Sequence, residues 1–216
     1  MIALQKGPKP QVLVDNDANW TKSLCDKLAN GEIPTPAEKT RYRHPRVKAA
    51  LVAETHGKCA YCESPLLHIH HGDVEHVQPK SLDPALTFEW SNLTLACEKC
   101  NQNKSDKDPD VEHIIDPYND DPAIHLRFSG PLVFPLGTDL GTCTRTLLDL
   151  NRGELVEQRK ERLEKLLLII DSALRPKLPA VVKQAIVDDL RREASSASSP
   201  YSAMGACLLT TVAGLV

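Results

Sequence analysis

The amino-acid sequence predicts an α+β fold, in which a small metal-stapled core is flanked by helices and followed by a helical C-terminal region. Two C-x-x-C pairs, Cys59/Cys62 and Cys97/Cys100, indicate one metal site that closes a β-rich segment. Apolar residues recur at helical spacing in LVEQRKERLEKLLLIIDSAL, which indicates a long helix near the C-terminus. Two short stretches, HLRFS and PLVFP, indicate strands on either side of a turn at Ser129-Gly130.

Composition limits the classes of protein that the chain can represent. Its 216 residues carry a formal net charge of -3, without the positive excess of many nucleic-acid binders, so nucleic-acid binding would need a local basic patch or a partner's charge. The first residues lack the apolar run of a signal peptide, and the 14-residue apolar tail AMGACLLTTVAGLV is shorter than the ~20 residues of a membrane span. We therefore expect a soluble, cytoplasmic protein that does not contact a membrane.

Four segments are predicted along the chain. They are an N-terminal arm with a short helix (1–38), the cysteine-containing core (39–110), a loop-rich segment with short strands (111–150) and a helical C-terminal region (151–216). In the arm, QVLVD predicts a short strand, and apolar spacing predicts a helix over residues 20–30 that ends before Gly31.

Further helices are predicted from apolar spacing and from the residues that end them. One runs from about Pro45 to Thr55 and ends at His56-Gly57, and another runs from about Ala180 to Glu193. The apolar tail from Ala203 onward fits a core helix and a docking segment equally well.

The cysteine pairs are separated by the 34 residues between Cys62 and Cys97. Four thiolates complete a tetrahedral zinc site, and a closed four-ligand site is usually structural. Such an ion would supply folding free energy that a small β-rich segment cannot obtain from its own core. The alternative is two separate pairs, buried or redox-active.

Three polar elements follow one another between and just after the cysteine pairs. They are Glu75-His76, then Asn92, 16 residues after His76, then Asn101, nine residues further on. With these elements the region resembles the HNH endonuclease family, whose core is a β-hairpin followed by a helix that holds one metal ion, the ββα-metal fold. The resemblance implies this fold for the core and phosphodiester hydrolysis of DNA as the activity.

The resemblance also implies a role for each residue. His76 resembles the general base, Glu75 and Asn101 resemble the ligands of the catalytic metal, and Asn92 resembles the residue that braces the loop bearing the histidine. Oxygen ligands favour Mg²⁺ or Mn²⁺ over a catalytic Zn²⁺. Neighbours in a strand point to opposite faces, so Glu75 and His76 serve one centre only if the strand bends or ends there, as Pro79 suggests.

Several basic residues are candidates for phosphate contacts. Lys104 would lie on the same helical face as Asn101, and its alternative is a solvated surface lysine. The run KTRYRHPRVK supplies Arg41, Arg43 and Arg46, for which the alternative is a solvated linker. For His68, His70 and His71, which lack the V-x-P-K context that follows His76, we expect a solvated loop, with DNA contact or adventitious metal binding as the alternative.

The flanking segments narrow the resemblance to one HNH subgroup. FEWSNL, IIDP, TLLDLNRGELVEQR and HPRVKAALVAETHGKCAYCE are similar to the PtuB nucleases of Septu-type and retron-linked anti-phage systems, over roughly residues 40–160. That subgroup partners with an ATPase, PtuA, so the resemblance implies DNA and a PtuA-like ATPase as partners. The alternatives are a stand-alone restriction-type nuclease, for which no DNA-reading domain is recognisable, and a zinc-stapled binding module without catalysis.

Overall fold

The computed structural model describes residues 1–66 and 72–212 of the chain. The helices of this part are α1 (Gln11–Ala29), α2 (Pro36–Lys39), α3 (Pro45–Glu54), α4 (Glu98–Lys104), α5 (Pro109–Glu112), α6 (Asp139–Leu147), α7 (Gly153–Ala173), α8 (Ala180–Ser195) and α9 (Ser202–Val212). The strands are β1 (Asp73–His76), β2 (Leu93–Ala96), β3 (Leu126–Ser129) and β4 (Leu132–Pro135). Short 3-10 turns cover Arg41–Arg43, Pro84–Phe88, Trp90–Asn92 and Pro122–Ile124. The predicted α+β class is confirmed.

Strands β1 and β2 form an antiparallel hairpin that leads directly into α4, which is the ββα order that the sequence predicts. His76 pairs with Leu93 at one end of the register, and Asp73 pairs with Ala96 at the other. Cys97 follows β2 at once and caps α4, because its Sγ accepts a hydrogen bond from a backbone N–H in the first turn. Hairpin and helix are therefore joined without a loop.

A glycine sets the start of β1. Gly72 has a φ of 65°, in the left-handed region that glycine adopts readily. A Cβ at this position would lie 2.7 Å from Leu66 Cδ1 and 3.3 Å from the carbonyl oxygen of Ala96. The absence of a side chain thus lets the chain approach the end of β2 closely.

The N-terminal segment differs from the prediction of a strand and a short helix. QVLVD is the first part of α1, a single 19-residue helix. Leu13 and Leu24 lie 11 residues apart, about three helical turns, and both are buried. Pro10 precedes the helix with a φ of -59°, which suits a helix start. Trp20 packs edge-on against Phe88, with ring centroids 5.6 Å apart, so α1 covers the turn over Pro84–Phe88.

The other predicted elements are confirmed. The helix predicted from Pro45 is α3, the strands around Ser129-Gly130 are the β3–β4 hairpin, and α7 and α8 are the predicted C-terminal helices. The described part of the apolar tail is α9, which packs against β3 and α8 and buries Met204 and Val212. This part of the tail is therefore a core helix.

The main apolar cluster draws residues from all four predicted segments, among them Leu13, Leu51, Ile115 and Leu155. A second, smaller cluster lies between α7, α8 and α9. Because one apolar cluster joins residues of all four segments, the division of the chain into these segments stays a prediction. In the described part of the chain, no helix combines the length and apolar character that crossing a bilayer needs.

Candidate active site and metal centre

His76 is the last residue of β1 and lies in a buried position, with 4% of its surface exposed. Its Nε2 lies 3.0 Å from the carbonyl oxygen of Thr87. Because a carbonyl can only accept, Nε2 carries the proton, and Nδ1 of the neutral ring is left as an acceptor. In the described part of the chain, no residue forms a hydrogen bond to Nδ1.

The surroundings of His76 keep its ring neutral. Burial, above all, lowers its pKa to about 4, and the nearby positive charge of Lys80 lowers it further, while the hydrogen bond to Thr87 opposes them. At pH 7 the imidazole is therefore uncharged and able to take up a proton. A neutral, oriented histidine is what a general base requires.

An aromatic ring and two cations border His76. Tyr42 meets the His76 ring edge-on, with centroids 4.5 Å apart. The Lys80 ammonium lies 5.1 Å and the Arg43 guanidinium 5.5 Å from the centroid of the Tyr42 ring. Tyr42 and Lys80 had no predicted role, although the V-x-P-K pattern after His76 contains the lysine.

The three arginines predicted to contact phosphates lie in two neighbouring elements. Arg41 and Arg43 lie in the 3-10 turn that includes Tyr42, and the Arg41 guanidinium lies 5.5 Å from the centroid of the Trp20 ring. Arg46 lies in the first turn of α3 and is exposed. His68, His70 and His71 lie outside the described residues, so their predicted loop role stays a prediction.

Glu75 forms a buried ion pair with Lys104 of α4, in which Nζ lies 3.1 Å from Oε1. The same ammonium donates a hydrogen bond to the carbonyl oxygen of His76, at 2.9 Å. Burial raises the pKa of Glu75 above its ordinary value, and the positive charge of Lys104 opposes this rise. The lysine therefore connects the predicted metal ligand to the backbone of the predicted base.

Lys104 itself is 0% exposed. The predictions of a phosphate contact and of a solvated surface lysine are both wrong at this position, because the side chain points into the core and its ammonium binds Glu75 and His76. Helical spacing from Asn101 identified the correct face of α4, but it could not show that β1 covers this face.

Asn101 is oriented by an aspartate that sequence analysis missed. Its Nδ2 donates a hydrogen bond to Asp73 Oδ2 at 3.2 Å, so Oδ1 is the end of the amide that remains free to act as a ligand. Asp73 and Glu75 are two residues apart in β1 and share its α4-facing side. Carboxylate and amide oxygens fit a hard divalent cation such as Mg²⁺ or Mn²⁺.

The side chains of Glu75 and His76 leave β1 in different directions. Glu75 contacts α4, whereas His76 contacts Tyr42 and the turn at Thr87. Strand β1 ends at His76, as Pro79 suggested. Among the described residues, no hydrogen bond joins the His76 ring to Glu75 or Asn101. The strand end therefore carries the predicted base on one side and the predicted ligands on the other.

Asn92 holds the chain that follows His76. Its Oδ1 accepts a hydrogen bond from the Gln78 backbone N–H at 2.7 Å, and its Nδ2 donates to the Gln78 carbonyl at 2.9 Å. The side-chain amide thus pairs with Gln78 as a neighbouring strand would. This two-point contact restricts the backbone two residues beyond His76.

The four paired cysteines converge on one point. The Sγ atoms of Cys59, Cys62, Cys97 and Cys100 all lie within 4.8 Å of one another, and three of these residues are buried. The first pair is held against the hairpin by a hydrogen bond from Ala60 N–H to the Leu95 carbonyl. Four sulfurs in such a group fit a tetrahedral Zn²⁺ ion.

Comparison with known proteins agrees with this geometry. A family model described as HNH endonuclease matches residues 59–107, which include the four paired cysteines, Glu75, His76, Asn92 and Asn101. A protein from Bacillus thuringiensis named "Septu protein PtuB" is 33% identical over 154 residues, which cover 70% of this chain and 55% of that protein. A second "Septu protein PtuB", from Bacillus mycoides (strain KBAB4), is 29% identical over 194 residues, with coverages of 74% and 66%. The chain thus spans between about half and two thirds of these relatives.

Proposed function

Since residues 59–107 form an HNH endonuclease domain, we propose that the protein is a metal-dependent nuclease that hydrolyses phosphodiester bonds of DNA. The domain supports a nuclease in general, and the DNA substrate is our proposal. The observation that carries it is the state of His76, which is buried, neutral at pH 7 and oriented by the Thr87 carbonyl.

In the proposed reaction, Nδ1 of His76 takes a proton from a water molecule. The oxygen of this water bonds to phosphorus while the bond from phosphorus to the 3′ oxygen breaks, and the departing oxygen takes a proton from solvent. Tyr42 and the Thr87 carbonyl keep the ring in place, and Asn92 restricts the backbone beyond it.

Glu75 and Asn101 are the proposed ligands of the catalytic ion. Bound Mg²⁺ or Mn²⁺ would stabilise negative charge on the phosphate and on the departing oxygen. Lys104 orients the Glu75 carboxylate through Oε1, and Asp73 orients the Asn101 amide through Nδ2. Such outer contacts commonly decide how well a ligand is presented.

DNA would approach the end of β1, so that the phosphate lies between His76 on one side of the strand and Glu75 and Asn101 on the other. Lys80 and Arg43 border that histidine, and Arg41 and Arg46 lie on the adjoining turn and helix. Contacts to phosphates from such a patch position DNA without reading its sequence. A local patch of this kind is consistent with an overall net charge of -3.

We further propose that the four paired cysteines bind one structural Zn²⁺ ion, which the convergence of their sulfurs supports. The similarity to proteins named "Septu protein PtuB" supports a role in anti-phage defence. On this proposal the protein is the nuclease of a complex with a PtuA-like ATPase. An ATPase gene next to its own and co-purification of the two proteins are expected, whereas a neighbouring methyltransferase gene would favour restriction.

The nuclease proposal is tested by incubating plasmid DNA with the purified protein and Mg²⁺ or Mn²⁺, with and without the ATPase. Changing His76→Asn removes the base, so we expect the cleavage rate to fall by about 100-fold or more. His56→Asn is the matched control, because His56 is exposed and its left-handed backbone suits asparagine. A His76→Asn protein that cuts at the wild-type rate would refute the base assignment, and a wild type that never cuts would refute the nuclease.

A further inference from the structure

An arginine outside the HNH domain contacts the cysteine group. Arg152 lies between α6 and α7, and both terminal nitrogens of its guanidinium are 3.7 Å from Cys100 Sγ. One of them is also 3.7 Å from Cys97 Sγ. In the described part of the chain, no other lysine or arginine forms a hydrogen bond with these sulfurs.

The Arg152 side chain is held in place by hydrogen bonds to the backbone of neighbouring residues. Its guanidinium also donates to the carbonyl oxygens of Asp149, at 3.2 Å, and Leu148, at 3.5 Å. Leu148 is fully buried, and its carbonyl accepts a further bond from Asn103 of α4, at 3.1 Å. The arginine is therefore held in a turn that is itself attached to the nuclease helix.

Electrostatics explain why a cation belongs at this point. Four thiolates around one Zn²⁺ ion carry a net charge of -2, which is costly to bury without a counter-charge. The planar guanidinium can donate to two sulfurs at once, which an ammonium cannot do as well. Hydrogen bonds to ligand atoms from outside the coordination sphere commonly raise metal affinity 10- to 100-fold.

A second contact reaches the other cysteine pair from the C-terminal region. The hydroxyl of Tyr201 lies 3.1 Å from Ser64 Oγ, and Ser64 Oγ lies 3.3 Å from Cys62 Sγ. The C-terminal region thus contacts one cysteine pair directly through Arg152 and the other through Ser64. The metal centre lies where the nuclease domain and the C-terminal helices meet.

We propose that Arg152 is a positioning residue of the zinc site, which neutralises the thiolates of Cys97 and Cys100 and attaches the start of α7 to them. The inference rests on the zinc site proposed above. It extends that site beyond the HNH domain, because the counter-charge comes from residue 152. Zinc binding and docking of the C-terminal helices then stabilise each other.

The test compares Arg152→Gln and Arg152→Lys with wild type by zinc content and by the rate at which a chelating indicator removes zinc. We expect Arg152→Gln to lose zinc about 10 to 100 times faster. Arg152→Lys keeps the positive charge but cannot donate to two sulfurs in one plane, so its rate of zinc loss should lie between those of Arg152→Gln and wild type. Arg191→Gln is the control, because the Arg191 side chain is exposed and, among the described residues, its guanidinium binds only Asp188. Circular dichroism checks that each variant is folded.

Zinc release from Arg152→Gln at the wild-type rate would overturn the proposal. If that variant does not fold, Arg152→Lys decides, since faster release than wild type supports the proposal and equal release contradicts it. The failure of the zinc site itself is recognised separately. In that case the wild type holds no zinc, or Cys59→Ser holds as much as the wild type.

Discussion

At the scale of single residues, the Glu75–Lys104 pair brings two buried charges together inside the candidate site. Such a pair is held in place less by its net attraction than by the cost of leaving one charge without the other. Lys104 also binds the His76 carbonyl, so its position determines the environment of two predicted catalytic residues.

Lys104→Met tests this dependence. The variant keeps the volume of the side chain but leaves the buried Glu75 carboxylate without the cation that pairs with it, so we expect the free energy of unfolding to fall by about 3 kcal/mol. Urea unfolding without added divalent ions measures it. Lys99→Met, at an exposed position of the same helix, should change stability by less than about 0.5 kcal/mol.

A double variant tests whether the unpaired charge causes the loss of stability. Adding Glu75→Gln to Lys104→Met removes the unpaired charge and should restore part of the lost stability. If Lys104→Met is as stable as wild type, the buried pair does not stabilise the fold.

Residue identities along the chain predicted one part of the candidate site and missed another. The cysteine pairs and the spacing of His76, Asn92 and Asn101 form a pattern in sequence, and the structure brings all four paired cysteines together. Other contacts join residues far apart in sequence. The Tyr42 ring packs against His76, Asp73 accepts a hydrogen bond from Asn101, and Arg152 donates to Cys97 and Cys100. Single-residue properties carry no information about such pairings.

At the scale of elements, local signals were reliable where a single interpretation was possible and failed where two competed. QVLVD has the β-branched content of a strand, yet it lies in α1, because burial of Leu13 and Leu24 on one face outweighs intrinsic preference. The β3–β4 hairpin was predictable because its turn and its flanking apolar residues agree.

Packing between α8 and α9 depends on the absence of a side chain at Gly205. A Cβ there would lie 1.9 Å from the carbonyl oxygen and 2.6 Å from the carbonyl carbon of Ala194. These are backbone atoms, which cannot move aside as a flexible side chain can. The two helices can approach this closely only with glycine at the contact.

Gly205→Ala should therefore destabilise the protein, although alanine favours a helix over glycine by about 1 kcal/mol. We expect a net loss of about 2 kcal/mol, because helix α9 must shift away from α8. Thermal unfolding measures the effect, with Ala206→Gln at the next, exposed position as control. A higher melting temperature in Gly205→Ala would contradict the observed packing.

At the scale of the whole molecule, the metal centre connects regions that lie far apart in the chain. The cysteines come from the HNH domain, whereas Arg152 and Tyr201 come from the helical C-terminal region. Lys58 beside the first cysteine strengthens the same junction by donating to the carbonyl oxygen of Ser199, at 2.9 Å. Loss of the proposed zinc ion should therefore weaken packing well beyond the ββα unit.

Cys59→Ser tests this long-range effect by hydrogen exchange. Removing one ligand should release the zinc ion, and backbone amides of α7 and α9 should then exchange on the order of tenfold faster or more. Cys25→Ser is the control, because Cys25 lies in α1 and is not one of the four converging cysteines. Unchanged exchange in α7 and α9 after zinc loss would mean that these helices are docked independently of the metal.

The register of the β1–β2 hairpin limits where this chain can change in length. Gly72 holds one end of β1 against β2, and Asn92 holds the chain just beyond the other end. Because successive side chains alternate between faces, inserting or deleting one residue in this stretch would move Glu75 to the side of Tyr42 and His76 to the side of α4. Changes in length are therefore compatible with the loops around the hairpin, but within it only substitutions leave His76 and Glu75 on their own sides of β1.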